Sequence, residues 1–179
     1  MVYILLATGF EDIEAVAPID ILRRAEIPVV TVGVTGGFVA SKHGLIVQPD
    51  ARIESINAAD LEMLVLPGGP GVDNLRSSAR VTSLILETAK QGKPIGAICA
   101  APGLLAELDL LRGRRAICFP SCEEQLTRHG ALLERGARVV CDAPFVTAKA
   151  AGASIDFALA LVSLLRGQPA ADTVRGHIS

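Results

Sequence analysis

The sequence predicts an α/β domain, a doubly wound and mostly parallel sheet with helices on both faces in a three-layer sandwich. Three observations carry this. Short apolar runs alternate with longer helical patterns along the chain. The strand-like runs are continuously apolar, as strands buried on both faces require. Finally, the 179 residues are 50% hydrophobic with only five Phe, one Tyr and no Trp, so the core must be built from Val, Ile, Leu and Ala.

The elements follow in order. Val2–Ala7 is a first buried strand and Ile13–Ala25 a helix; Pro28–Val34 is a second strand, closed by the turn signal Gly36-Gly37. Phe38–Ala40 and Leu45–Val47 flank Lys42-His43-Gly44 as a small hairpin. Glu62–Leu66 is a strand ending in Pro67-Gly68-Gly69-Pro70-Gly71, Val81–Gln91 a helix, and Pro94–Ile98 another short buried strand. Ala100–Leu111 reads as a helix that tolerates Pro102 in its first turn. Arg115–Cys118 is a strand, Glu123–His129 a helix, and Arg138–Cys141 and Phe145–Thr147 are two further strands. Ser154–Leu165 is a strongly apolar helix. The order matches a flavodoxin-like topology.

No repeat, low-complexity tract or linker divides the chain, so residues 1–169 are expected to form a single domain, with 170–179 a polar tail. A net charge of −2 gives no electrostatic reason to expect nucleic acid as partner. The longest uncharged stretch, Ile27 to Ser41, contains Pro28 and three glycines and falls short of a spanning helix, so no membrane partner is expected either. The opening apolar run has no basic region before it and reads as a strand, not a leader. The expected compartment is cytoplasmic. The four cysteines are then reduced thiols rather than a disulfide framework.

Ligands of such sheets sit outside the carboxyl ends of the strands. Three segments put small or reactive residues there: Thr8–Glu14, Pro67–Gly71 and Cys99–Pro102. Cys99 leaves a strand and enters a helix, where unpaired N–H groups favour an anion and depress a thiol pKa. Gly96, Ala97, Ala100 and Ala101 leave room for a sharp turn and for substrate. The same position also suits a small buried core residue, and position alone leaves both readings open.

Glu11 and Asp12 read as dipole-complementing surface groups at a helix start. Glu14 is flanked by Ile13 and by Ala15–Ile19. Held among apolar groups near a thiolate, its carboxyl would keep its proton and shuttle it; exposed, it would be one more helix cap. In the Pro67–Gly71 loop, Gly68 and Gly69 allow close backbone approach, so an N–H there can hold an oxyanion; a plain strand-to-helix turn needs the same residues. The loop carries no dinucleotide or P-loop spacing. Cys118 and Cys141 end strand-like runs and read as core, and Cys122 as a secondary redox thiol in a loop. Without a second Cys/His pair at zinc spacing, no metal site is expected. His43, His129 and His177 are scattered, and none adjoins Cys99.

Together, Glu11-Asp12-Ile13-Glu14 with Pro18 and Asp20, Leu66-Pro67-Gly68-Gly69, Ala97-Ile98-Cys99-Ala100 and Gly152-Ala153-Ser154-Ile155-Asp156-Phe157 resemble the DJ-one/ThiJ/PfpI superfamily. The resemblance is strongest to the branch with bacterial YajL and the parkinsonism-associated protein deglycase, and it spans nearly the whole chain. It implies a homodimer of flavodoxin-like domains, with Cys99 as the reactive, oxidation-sensitive cysteine and Glu14 as its protonated partner. It also implies an anion pocket from the N–H groups of Gly69 and Ala100, lined further by Phe119, Pro120 and His43. Protease-like relatives carry a histidine directly after the cysteine; Ala100 stands there, which argues against peptidase chemistry. Phe119-Pro120 replaces the His-Pro pair of the human-type branch, leaving a Cys-Glu dyad. His43 stands where an arginine is common, and Ala150-Ala151-Gly152-Ala153 where a richer Gly/Pro stretch is found.

The expected function is therefore a cofactor-independent, cysteine-dependent enzyme of glyoxalase or deglycase type. Its substrates would be reactive dicarbonyls or glycated groups, and its role protection against carbonyl and oxidative stress. The alternative is a redox-sensing or chaperone-like protein switched by oxidation of Cys99. A third reading is another small-molecule hydrolase or hydratase of the superfamily.

Overall fold

The structure is a computed structural model describing residues 1–179. The first half of the chain runs β1 (Val2–Leu6), α1 (Asp12–Arg24), β2 (Val29–Gly33), the hairpin β3 (Val39–Ala40) and β4 (Ile46–Val47), β5 (Ala51–Arg52), β6 (Met63–Leu66), α2 (Val72–Ser77), α3 (Ala79–Lys90) and β7 (Ile95–Ile98). The second half runs α4 (Ala101–Glu107), β8 (Arg115–Ala116), α5 (Glu123–Arg128), β9 (Leu132–Leu133), β10 (Val139–Asp142), β11 (Phe145–Ala148), α6 (Ser154–Arg166) and α7 (Gln168–Ile178).

Seven strands form one sheet in the order β10-β11-β7-β6-β1-β2-β5. All its pairs are parallel except β10 with β11. This is the doubly wound, flavodoxin-like arrangement that the alternating pattern predicts. Strand residues point alternately to its two faces. In β1, Tyr3 and Leu5 enter one apolar cluster, with Leu84, Ile85, Leu104 and Leu105 from α3 and α4. Val2, Ile4 and Leu6 enter another, with Leu22 of α1 and Phe157, Leu161 and Val162 of α6. Each face thus buries its own core. No helix is long and apolar enough to cross a membrane.

Several expectations need correction. The stretch 170–179, read as a polar tail, belongs almost wholly to α7, which begins at Gln168 and buries Ala171 and Val174 in the α1/α6 core. Two small residues three apart make too thin a stripe to register as an amphipathic pattern. The helix expected over Ala100–Leu111 stops at Glu107, because Asp109 takes a left-handed φ of 58°. Arg115–Cys118 joins no strand of the large sheet. Only Arg115–Ala116 pairs, with Leu132–Leu133, and the next N–H, of Ile117, goes to the Thr147 hydroxyl at 3.0 Å.

Candidate active site

The chain leaves β1 toward β2 on one side and β6 on the other, so a topological crevice opens between the carboxyl ends of β1 and β6. Backbone hydrogen bonds stitch the two loops there together. Glu11 N–H donates to the Gly68 carbonyl at 3.0 Å, and Gly71 N–H to that of Gly9 at 2.9 Å. Gly69 lies at φ 83°, and a Cβ on it would stand 2.7 Å from Glu11 N and Gly9 O, so the interlock needs a glycine.

Cys99 follows β7 directly. It is one of three non-glycine residues at positive φ, 64°, a conformation that costs an L-residue about 1–2 kcal/mol. The strain is held from both sides: its N–H donates to Ala148 of β11 at 2.9 Å, and its carbonyl accepts from Phe119 N–H at 2.8 Å. The side chain is half-buried and faces a cleft of about 580 Å³. Glu14 reaches the same spot from the first turn of α1 and is fully buried. Gly68 N–H donates to Glu14 Oε2 at 2.9 Å, while Oε1 is buried with no partner.

Gly68 sets the spacing of the pair. A Cβ there would lie 2.6 Å from both Cys99 Cβ and Glu14 Oε2, and 2.8 Å from the Ile98 carbonyl. Gly68→Ala is therefore expected to destabilise the protein by about 1–3 kcal/mol through overpacking, read as a lower midpoint in urea. An unchanged midpoint would show that the loop can yield freely.

Burial pushes the Glu14 carboxyl up to about 7; the Glu11 charge adds to this, while Cys99, the Gly68 N–H and Lys42 oppose it. Burial also pushes the Cys99 thiol up to about 12, and the negative charge of Glu14 adds to that; the N–H groups of Gly69 and Ala100 pull the other way. The sequence argument from helix-end donors expects a depressed thiol. Those donors are present, but desolvation and the neighbouring carboxylate outweigh them. Between about pH 7 and 12 the pair holds one proton for two acidic groups. A thiolate forms there when Glu14 carries that proton, and the unpartnered Oε1 is the oxygen free to bear it.

Of the expected lining residues, Phe119 borders the cleft, whereas Pro120 and His43 do not. Pro120 starts an exposed single turn, and His43 points to solvent, its Nδ1 3.0 Å from Asp12 Oδ2. Its neighbour Lys42 lines the cleft instead, 3.4 Å from Glu11. Glu11, expected at the surface, is partly buried and also borders the cleft from the extended residue just before α1. Arg76 and Gln125, which no local pattern marks, also line the cleft, as does Cys122, the thiol read from its loop position. Arg76 Nε is 2.8 Å from Glu107, which also accepts from Gln125. The one grouping with metal-ligand atoms within 4.8 Å of each other is Glu11, Asp12 and His43. Its carboxylates are already engaged by Lys42, by the Ser41 hydroxyl at 2.7 Å and by His43 itself.

A model of the DJ-1/PfpI family matches residues 1–164. A protein named deglycase from Pyrococcus abyssi is 30% identical over 165 residues, 92% of this chain and 99% of its own. Protein DJ-1 homolog B of Arabidopsis thaliana is 35% identical over 167 residues, and the match spans only 37% of that longer protein. Drosophila melanogaster DJ-1beta superposes with a TM-score of 0.93 at 30% identity, covering 99% of this chain and 96% of that one. Oxidized Toxoplasma gondii DJ-1 gives 0.92 at 31%, with the same coverage. Because the match runs from the first strand into α6, the chain belongs to the DJ-1/PfpI family.

Proposed function

We propose that the protein is a cysteine-dependent enzyme acting on reactive dicarbonyls or on groups they have glycated. The observation that carries this is a strained thiol and a buried carboxyl holding one proton between them at the floor of an open cleft. Such a pair can deliver a nucleophile and a proton without a further group. Relatives that carry the name deglycase support the same reading.

The Cys99 thiolate adds to the aldehyde carbon of a 2-oxoaldehyde, forming a C–S bond. The resulting oxyanion is held by the N–H groups of Gly69 and Ala100 and takes a proton. Glu14 then moves a proton from that carbon to its neighbour through an enediol, leaving a thioester. Water hydrolyses the thioester to a 2-hydroxy acid and returns the thiol. Methylglyoxal would give lactate, and the wild-type protein is expected to form it in the presence of a chelator. No lactate above the buffer rate would overturn the proposal. The same sulfur serves the redox-sensing reading, to which the oxidized Toxoplasma relative lends weight.

The active form is proposed to be a homodimer. Ile13 and Val16 of α1 and Phe38, Leu45 and Ile46 of the hairpin are large, apolar and exposed. The bridge between Phe10 and Ser41 sets the hairpin beside α1, so these side chains crowd one side of the molecule. Light scattering at micromolar protein is expected to give twice the chain mass, and Val16→Asp to lower it. A monomer mass for the wild type would exclude a stable dimer.

A further inference from the structure

Two cysteines, not one, border the cleft, and the proposed chemistry uses only Cys99. Cys122 is half-buried at the end of the single turn Pro120–Cys122. Two backbone hydrogen bonds in series connect the pair. Phe119 N–H donates to the Cys99 carbonyl, and Cys122 N–H to the Phe119 carbonyl, both at 2.8 Å. The Cys122 sulfur makes one hydrogen-bond contact, to the Ser121 hydroxyl at a loose 3.9 Å, so no strong polar bond holds it where it packs against the core. The other two cysteines are differently placed: Cys118 is fully buried, and Cys141 is exposed on edge strand β10. Burial pushes the Cys118 thiol up to about 12, and charge on Cys122, Glu123 and Cys99 adds to this, so Cys99 and Cys122 both lie within electrostatic reach of one buried sulfur.

We propose that Cys122 is the resolving thiol for Cys99, closing an intramolecular disulfide across the cleft when a hydroperoxide oxidises the catalytic sulfur. The Cys99 thiolate attacks a peroxide oxygen and the O–O bond breaks, leaving a sulfenic acid, while the leaving oxygen takes the proton held by Glu14 and departs as water (or as an alcohol from an organic hydroperoxide). The Cys122 sulfur then attacks the sulfenic sulfur. The S–O bond breaks, the S–S bond forms, and the hydroxide leaves as water with the Cys122 proton. The two thiols give up two electrons and the peroxide gains them; a dithiol reductant reverses the change. The movement falls on the exposed turn at Pro120 and Ser121, outside the sheet. Capture as a disulfide shields Cys99 from the irreversible sulfinic and sulfonic states and closes the cleft to substrate while oxidant persists. The proposal needs only a reactive Cys99 and does not rest on dicarbonyl turnover.

The test is a small excess of hydrogen peroxide, at least two equivalents, on the reduced chain, followed by an acid quench and intact mass with non-reducing peptide mapping. The wild type is expected to lose about 2 Da, to yield a Cys99–Cys122 linked peptide, and to recover with a dithiol. Cys122→Ser is expected instead to gain about 32 Da at Cys99, as sulfinic acid, at least about ten-fold faster than the wild type. Equal sulfinic acid formation in the two proteins would overturn the proposal. So would a link from Cys99 to Cys118 or to another chain, or a Cys99 that stays reduced. Lactate formation by the reduced wild type reports separately on the dicarbonyl reading, so either can fail alone.

Discussion

Cys99→Ala is expected to lower kcat for dicarbonyl turnover by about 10³-fold or more, since it deletes the atom proposed to form the covalent intermediate. Binding should suffer far less, because the cleft walls, the Gly69 and Ala100 N–H groups and Glu14 all remain. The fold should survive as well: alanine fits the half-buried site and keeps the same backbone strain at φ 64°. Cys99→Gly separates strain from chemistry. It is expected to be equally inactive yet more stable than Cys99→Ala, because glycine takes positive φ without penalty, although it gains chain entropy on unfolding. Cys141→Ser, on the far edge strand, should behave as wild type. Full turnover by Cys99→Ala, measured as lactate formed from methylglyoxal, would exclude the covalent route.

Glu14→Gln should lower kcat by about 10²-fold and change how both rate and stability depend on pH. In the proposed mechanism the reactive form is the singly protonated pair, so kcat/KM is expected to rise with pH through about 7 and then level. The amide cannot carry this proton. It also removes the charge that holds the Cys99 thiol up, so the thiol pKa should fall from its wild-type position near 12. A rise near pH 7 that persists in the variant would mean another group controls the rate.

The stability change runs in the opposite sense to that of a salt-bridged carboxylate. Glu14 binds its proton more tightly in the folded state, about 7 against 4.5 unfolded. Stability conferred by the neutral carboxyl is therefore full below pH 4.5 and is lost as pH rises to about 7, by about 3 kcal/mol for a group with no solvent contact. Glu14→Gln lacks that loss, so its Tm should gain on the wild type across this window and keep a constant lead up to about pH 9. Above pH 9, the raised Cys99 thiol begins to destabilise the wild type in turn. A Tm difference independent of pH between 4.5 and 7 would place the Glu14 carboxyl in water.

The long parallel strands were legible because burial on both faces writes itself as an unbroken apolar run: Val2–Leu6, Met63–Leu66 and Ile95–Ile98 could hardly be anything else. The helices α1 and α6 are long enough for the 3.6-residue period to show. Their order along the chain placed the Thr8–Glu14, Pro67–Gly71 and Cys99–Pro102 segments at one end of the sheet. What escaped was short or thin. The six-residue α2, the two-residue β5 and β9, and α7 with its two buried side chains carry too little pattern to stand out.

Only the tertiary structure decided the state of the dyad. A carboxyl in a first helical turn can face water or core with the same neighbours in sequence. It is the packing of α1 against the Gly68 loop that closes Glu14 off and leaves one of its oxygens unpartnered. Likewise, the backbone donors around Cys99 follow from a strand meeting a helix, whereas the opposing desolvation and carboxylate field depend on segments 54 and 85 positions apart converging on one point. Residue order sets which groups exist and the local conformations open to them. The balance of their charges depends on distances through space, which only the folded chain defines.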